Sequence, residues 1–398
     1  MALKDRNPFR SGAAKPGALT FSALFFVESV ARATLVTVLP LTAFTVFGDK
    51  ETVSLVYTVV ALLALCISFA IPALVRALSR RWTYTLGAVL IGLCGVLVGS
   101  GAGWAIPIAM LARTCGAAML NITLSLFILD NIGRKDLVRS EPLRLGASTL
   151  AWSAGPFLGV WLMQRYGVLA PSAMSVAAVG LLVAGFWALR MRDGASIRPG
   201  RAEARHPLEA IRRFAAQPRL RLAWAIAFGR SAFWLTFFIY VPILMVEGGL
   251  GPTAAGVAVA AGNLMLFTNF FLRDVVARHS LRRVLGTAFL SAAALVLATG
   301  AVSPFSPAAA GVAMVAAAFF VATIDGLGPI PFLRAVRAYE RPAMTTVYRT
   351  YLDASELLPP MAYFFLFMAF GYPGAFVALA LLLAGVGALT LRHLPRGM

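Results

Sequence analysis

The chain has 398 residues, 60% of them hydrophobic and only 13% charged, with a mean hydropathy of +0.82. Composition of this kind excludes a soluble globular domain. A formal charge of +19 would suit nucleic acid, but the basic residues lie between apolar runs rather than among exposed aromatics, which excludes that partner.

Met1 to Ala18 carries Lys4, Arg6, Arg10 and Lys15, and the apolar run that follows is too long for the core of a signal peptide. It reads as a first membrane span. Crossing a bilayer core takes at least about 17 apolar residues. On that measure the first half holds spans near 19–47, 53–75, 82–100, 104–129, 143–164 and 168–189. The second half holds spans near 220–246, 253–276, 284–302, 307–327, 346–370 and 373–391. These are helices, because an open sheet edge in hydrocarbon leaves backbone groups unpaired. The runs show no period-two alternation, which excludes a membrane barrel. The expected fold is therefore an all-α membrane protein of twelve transmembrane helices in two pseudo-symmetric six-helix bundles.

Between the halves lies a basic, polar run from Arg190 to Arg221 with Pro199, Pro207 and Pro218. It reads as a solvated linker, giving an N-terminal bundle over 1–190, a linker over 191–219 and a C-terminal bundle over 220–398. Cys66, Cys94 and Cys115 all fall inside apolar runs and give neither a disulfide framework nor metal-ligand spacing. Of the 35 Lys and Arg, only Lys50 and Arg165 fall in loops opposite the termini, while Arg32, Arg113 and Arg230 lie deep in spans. The positive-inside rule then places both termini and the linker in the cytoplasm, with the bacterial inner membrane as the expected location.

The halves repeat. Pro40 and Pro242, Arg76 and Arg278, and the pairs Arg80-Arg81 and Arg282-Arg283 share an offset of 202; Arg144 and Arg349 stand 205 apart. A drift of three residues over the half is the mark of a parallel duplication.

The loop between spans two and three reads Pro72-Ala73-Leu74-Val75-Arg76-Ala77-Leu78-Ser79-Arg80-Arg81, and its copy after span eight, Asp274 to Arg283, holds an acid. Span four carries Arg113 with Gly116, Ala117 and Ala118; span five carries Gly146, Gly155, Pro156 and Gly159. In this order and topology the chain resembles the major facilitator superfamily over nearly its whole length. It departs from the family's loop signature where Pro72 replaces a glycine and Arg76 an aspartate. The resemblance implies a monomeric secondary transporter without cofactor, and the span-five pattern implies the proton-coupled drug and metabolite exporter branch.

Ionisable groups inside a membrane are costly and therefore candidates for function. The proton-coupling candidates are Glu28, Asp325, Asp353 and Glu356. Glu28 and Arg32, four apart, form either a proton site facing Arg113 or a structural ion pair. Asp353 and Glu356 share a helix face and need a cation, either Arg230 or Arg349; Asp353 alternatively serves as a gate partner near the linker. The substrate-cavity candidates are Arg32, Arg113, Asn121, Trp152, Arg230, Trp234, Tyr240 and Asn263, with Phe25 and Phe233 as further aromatic lining. Arg76, Arg80, Arg81, Asp274, Arg278, Arg282 and Arg283 form the expected gate motif, and Glu247 is expected to be solvated. Gly155-Pro156, Gly326–Pro329 and Pro359-Pro360 are expected to break or bend their helices.

His206, His279 and His393 fall outside the spans, so a proton relay must use carboxylates. Soft-metal transport would rest on scattered methionines such as Met245 and Met265, and no metal site is expected. No phosphate-binding Gly-x-x-x-x-Gly-Lys-Ser/Thr loop occurs, so energy comes from an ion or solute gradient. A membrane enzyme using Asp353 and Glu356 lacks a nucleophile–base set. The expectation is a secondary transporter moving a small organic solute by alternating access, proton-coupled and exporting, with protons and the lipid bilayer as its other partners. The alternative is uptake of a small anionic metabolite or vitamin on Arg32, Arg113 and Arg230.

Overall fold

A computed structural model describes residues 18–131, 134–189, 207–271, 279–337 and 340–395. Among the described residues the regular structure is helical throughout, with no strand. Span one is split into α1 (Ala18–Thr34) and α2 (Val38–Phe47). Pro40 causes the split, because it has no N–H to give the Val36 carbonyl and its ring crowds that carbonyl. The ladder resumes with Leu39 N–H on the Leu35 carbonyl at 2.9 Å and Leu41 N–H on the Thr37 carbonyl at 3.3 Å.

Span two is α3 (Lys50–Ser68), started by the Asp49 side chain accepting from the Thr52 N–H. Helix α4 (Ile71–Gly99) contains one non-helical residue, Ser79, at φ 68° and ψ 161°, where span two hands over to span three. Spans four, five and six are α5 (Ala105–Asn131), α6 (Arg134–Tyr166) and α7 (Leu169–Ala188). At 1.5 Å per residue α6 reaches about 50 Å, well beyond a hydrocarbon core of about 30 Å. Its surplus is the charged first turns.

The basic stretch between the halves departs from the expected solvated linker, because 207–216 forms α8 (Pro207–Ala216). Ala210 and Phe214 of α8 are buried against Leu220, Phe332, Met344 and Tyr348. One face of this short segment is apolar, and burying it outweighs the charge on the other. Span seven is α9 (Pro218–Glu247) and span eight is α10 (Gly251–Leu264) running into a 3₁₀ turn, Met265–Phe271. Span nine is α11 (Leu281–Val302). Span ten is α12 (Pro307–Leu327), which breaks at Gly328 before α13 (Pro329–Ala335), as the prolines there predict. The last run, α14 (Arg341–His393), is 53 residues long and broken at Gly371, where φ is 61°. It therefore supplies spans eleven and twelve. Its backbone stays helical through Pro359 and Pro360. Ten helices among the described residues are long and apolar enough to cross a membrane, one of them this double-length run. Leu62, Val89, Phe365 and Leu381 point outward from the bundle, as lipid-facing residues should.

The glycines of span five have a packing role. Gly155-Pro156 does not break α6; the break lies instead in span one, which α6 crosses. A methyl on Gly159 would collide with the Thr34 carbonyl oxygen, and one on Gly155 would sit 2.6 Å from the Ala33 side chain. Backbones this close admit only hydrogen at those positions. Gly116 in span four does the same for span three: a methyl there would lie 2.7 Å from the Gly87 carbonyl oxygen.

Among the described residues the buried apolar side chains form one large cluster and two smaller ones. The large cluster joins Leu39, Val53, Val98, Ile106 and Val160 to Phe233, Tyr240, Phe289 and Leu383. Spans one to six contribute to it only from their ends far from the termini. Near the termini they close on themselves through Phe21, Leu24, Tyr84, Leu124 and Phe186. The two sets of helices are thus fused at one end of the bundle and have separate cores at the other.

Two outcomes are expected. Gly159→Ala should destabilise the protein by about 1–3 kcal/mol through overpacking, whereas Gly146→Ala, with no atom within 4 Å of the added methyl, should be neutral. Thermal unfolding in detergent compares them. Ser79→Gly should stabilise by roughly 1 kcal/mol, because φ and ψ there fall in a region nearly reserved for glycine; an unchanged melting temperature would show that the turn relaxes without cost.

Candidate functional site

Between the two sets of helices lies a cavity of about 310 Å³. Its wall is built from stripes at helical spacing. Arg32, Val36 and Leu39 come from span one; Tyr57, Val60 and Ala61 from α3; Met110, Arg113 and Thr114 from α5. Trp152 comes from α6, and Leu352, Ser355 and Glu356 from α14. Helix α9 gives Arg230, Ser231, Trp234, Leu235, Phe238 and Ile239, two adjacent rows at i, i+4 and i+8.

Five charged groups meet at or just behind this wall in addition to Glu356. Glu28, with no exposed surface, accepts from Arg32 at 3.0 Å. Arg32 also lies 5.8 Å over the Trp152 ring. On the opposite side Arg230 is paired with Asp325. Asp325 further accepts from the Trp234 indole N–H at 2.6 Å, and Arg230 donates to Ser231 at 3.1 Å and to the Tyr351 hydroxyl at 3.4 Å. Both pairs are neutralised within their own set of helices, which is how low dielectric tolerates a charge.

Arg113 and Glu356 are different. Among the described residues neither makes an ion pair or hydrogen bond, and the buried Arg113 Nε has no acceptor. They stand on opposite walls, within each other's electrostatic reach.

Several expected site residues lie elsewhere. Tyr240 is fully buried at the fused end, where its hydroxyl meets Ser54 at 2.9 Å and its ring packs on Tyr363. Tyr363 in turn meets the Thr236 hydroxyl at 2.8 Å. Asn263 is buried and bonds the Val259 carbonyl one turn back; Asn121 is absent from the cavity wall. Phe233 is core and Phe25 is not on the wall. Asp353 is not on the wall either, and the cation it feels is Arg349 rather than Arg230. Three positions along a helix leave two side chains roughly 60° apart around its axis, so Asp353 and Glu356 divide between rim and wall. Tyr57, Phe238, Ser231 and Ser355 are wall residues that the sequence reading missed. Projecting one turn beyond Trp234 would have found Phe238; the others carry no such signal.

At the fused end, Glu247 is not simply solvated. It accepts from Lys50 at 3.0 Å and from the Tyr372 hydroxyl at 2.6 Å, with Lys50 lying 5.0 Å over the Tyr372 ring. Thr253 bonds Gln164 beside them. Polar contacts thus tie spans one to six onto seven to twelve across this end.

Of the gate motif, Arg80 is buried and Arg81 lies 4.5 Å over the Trp187 ring. Arg282 is half-buried and Arg283 exposed at the start of α11. Asp274 and Arg278 lie outside the described residues, as does the Arg76 side chain.

A family model described as Major Facilitator Superfamily matches residues 21–355. A comparison with curated proteins finds no match. Solved structures share the fold at low identity. The nucleoside transporter NupG is 12% identical with a TM-score of 0.70, covering 94% of this chain and 99% of its own. A D-xylose–proton symporter is 10% identical at 0.72, covering 95% and 97%. A bacterial homologue of the iron transporter ferroportin in an inward-facing state is 12% identical at 0.73, covering 94% and 98%.

Removing one member of the Arg230–Asp325 pair should strand the other. Asp325→Ala should cost on the order of 2 kcal/mol, below the cost for a fully dry pair because both side chains keep some exposed surface. The double variant with Arg230→Ala should recover part of that loss. Additive losses in thermal unfolding would mean the two groups are not coupled.

Proposed function

The chain belongs to the Major Facilitator Superfamily, and from that premise we propose that it is a proton-coupled exporter of a small organic solute. It is an integral membrane secondary transporter and not an enzyme. In the proposed mechanism the bundles of residues 1–190 and 220–398, joined through 191–219, rock about the cavity and expose it to each side in turn.

The observation that carries this reading is the unpartnered Glu356. Among the described residues it is the one carboxylate on the cavity wall. Glu28 and Asp325 are held by Arg32 and Arg230, so neither is free to take a proton without breaking a pair. Glu356 feels Arg113, Asp353 and Arg32 but is bonded to none of them. A carboxylate in a gap that opens alternately to either side can load a proton from one and release it to the other. Solute and proton then compete for one group, which is antiport in its simplest form.

The separate cores near the termini and the joined core at the other end support an access path on the terminal side. The excess of Lys and Arg in the loops of that side supports its being cytoplasmic, in a bacterial inner membrane. Export rests on the resemblance of Gly146, Gly155, Pro156 and Gly159 to the exporter pattern. Uptake of an anion on three arginines is the weaker reading, because Arg32 and Arg230 are already neutralised by their own acids.

Glu356→Gln in proteoliposomes should abolish solute movement driven by an imposed pH gradient, whereas Glu356→Asp, which keeps a carboxyl group, should retain part of it. Glu28→Gln should keep its pH response and instead lose stability. Unchanged pH-driven flux in Glu356→Gln would remove it from the coupling step.

A further inference from the structure

The charge pattern of the cavity says more about its solute than its size does. Counting the paired acids behind the wall, three guanidiniums stand against three carboxylates, and two of each cancel locally. What remains is one cation on α5, Arg113, and one anion on α14, Glu356, on walls that belong to different sets of helices. A purely anionic solute on Arg113 would leave Glu356 facing it uncompensated. A purely cationic solute on Glu356 would do the same to Arg113. An uncharged one would leave both bare as the gap closes and water leaves, which low dielectric penalises heavily. With Glu356 ionised, a solute carrying both signs satisfies the pair at once.

We propose that the cavity takes a small zwitterion, its anionic group on Arg113 and its ammonium on Glu356. This rests on the transport reading above and names the solute class for the same site. A guanidinium offers a planar fork that suits a carboxylate, and the Glu356 carboxylate accepts from an ammonium in a charge-assisted hydrogen bond. The body of the solute lies against Tyr57, Trp152, Trp234 and Phe238, which favours an apolar or aromatic side group. A volume of about 310 Å³ sits at the small end of ligand cavities, consistent with an amino-acid-sized molecule. Because such a solute spans the gap, binding draws Arg113 and Glu356 together. The ammonium and the coupling proton share Glu356, so a net-neutral solute leaves as a proton enters.

The test uses purified full-length protein and four matched probes: L-phenylalanine, phenethylamine, 3-phenylpropionate and phenylalaninamide. Binding is read by calorimetry and by the shift in unfolding temperature. L-phenylalanine is expected to bind at least tenfold more tightly than any of the other three. Arg113→Gln should bring it down to the level of phenethylamine, and Glu356→Gln to that of 3-phenylpropionate. Arg113→Lys and Glu356→Asp, which keep the charge, should restore part of the preference and show that the losses are not misfolding. Equal binding of 3-phenylpropionate would mean an anionic solute, and equal binding of phenethylamine a cationic one. Either result, or no binding of any probe, overturns the proposal. Proton-driven flux in liposomes separates the two readings. A zwitterion that binds but is not moved by a pH gradient sinks the coupling. A pH gradient that moves solutes of another class sinks the zwitterion alone.

Discussion

Every guanidinium that this chain carries into its apolar bundle has to find an anion, an aromatic face or water, since bare charge in hydrocarbon costs several kcal/mol. Arg32 finds Glu28 and the face of Trp152; Arg230 finds Asp325 and Tyr351. Each solution is made inside one set of six spans, so neither pair need break in the proposed rocking motion. Arg113 and Glu356 have no such local solution. They are left across a gap, and in the proposed mechanism the solute supplies the missing charge there. The polarity of the cavity follows from that single imbalance.

The same separation appears in the packing. Leu39, Val53 and Ile106 are buried against the core of the second set, whereas Phe21, Tyr84 and Phe127 belong to a separate cluster within the first set. The seam at the joined end is finished with polar contacts, Ser54 to Tyr240 and Lys50 to Glu247 to Tyr372. The Ser54–Tyr240 contact is buried, whereas the Lys50–Glu247–Tyr372 contacts are exposed and individually weak. The closest glycine-on-backbone approaches of the first set, Gly159 on Thr34 and Gly116 on Gly87, lie inside that set, between spans one and five and between spans three and four.

Much of this was legible in the chain itself. Span lengths, the positive asymmetry of the loops and the offset of 202 residues read directly, because lipid imposes helix length and hydrophobicity on any sequence that crosses it. Arg113, Arg32, Arg230 and Glu356 could be singled out for the same reason. The i, i+4 pairing of Glu28 with Arg32 was visible as one of two alternatives. Less legible were the faces. Tyr240 and Asn263 looked like cavity residues, and both are buried away from it, one holding Ser54 and the other its own helix. Tyr57 and Ser355 looked like nothing in particular and are on the wall. In an apolar helix the periodic contrast between buried and exposed faces is erased, since lipid and core favour the same side chains.

The sequence by itself determined that this is a membrane protein of long helices in a repeated pattern, with a handful of charges that could not be accidental. Those are properties of one residue or one segment against its solvent, and they need no knowledge of neighbours. Only the tertiary structure decided which charge meets which. Asp325 lies 95 residues from Arg230 and could equally have been assigned to no partner at all, while Asp353, three residues from Glu356, is absent from the cavity wall that Glu356 lines. Pairing depends on helix rotation and crossing, set by contacts such as Gly159 on Thr34 that act between distant segments, and no local pattern encodes it.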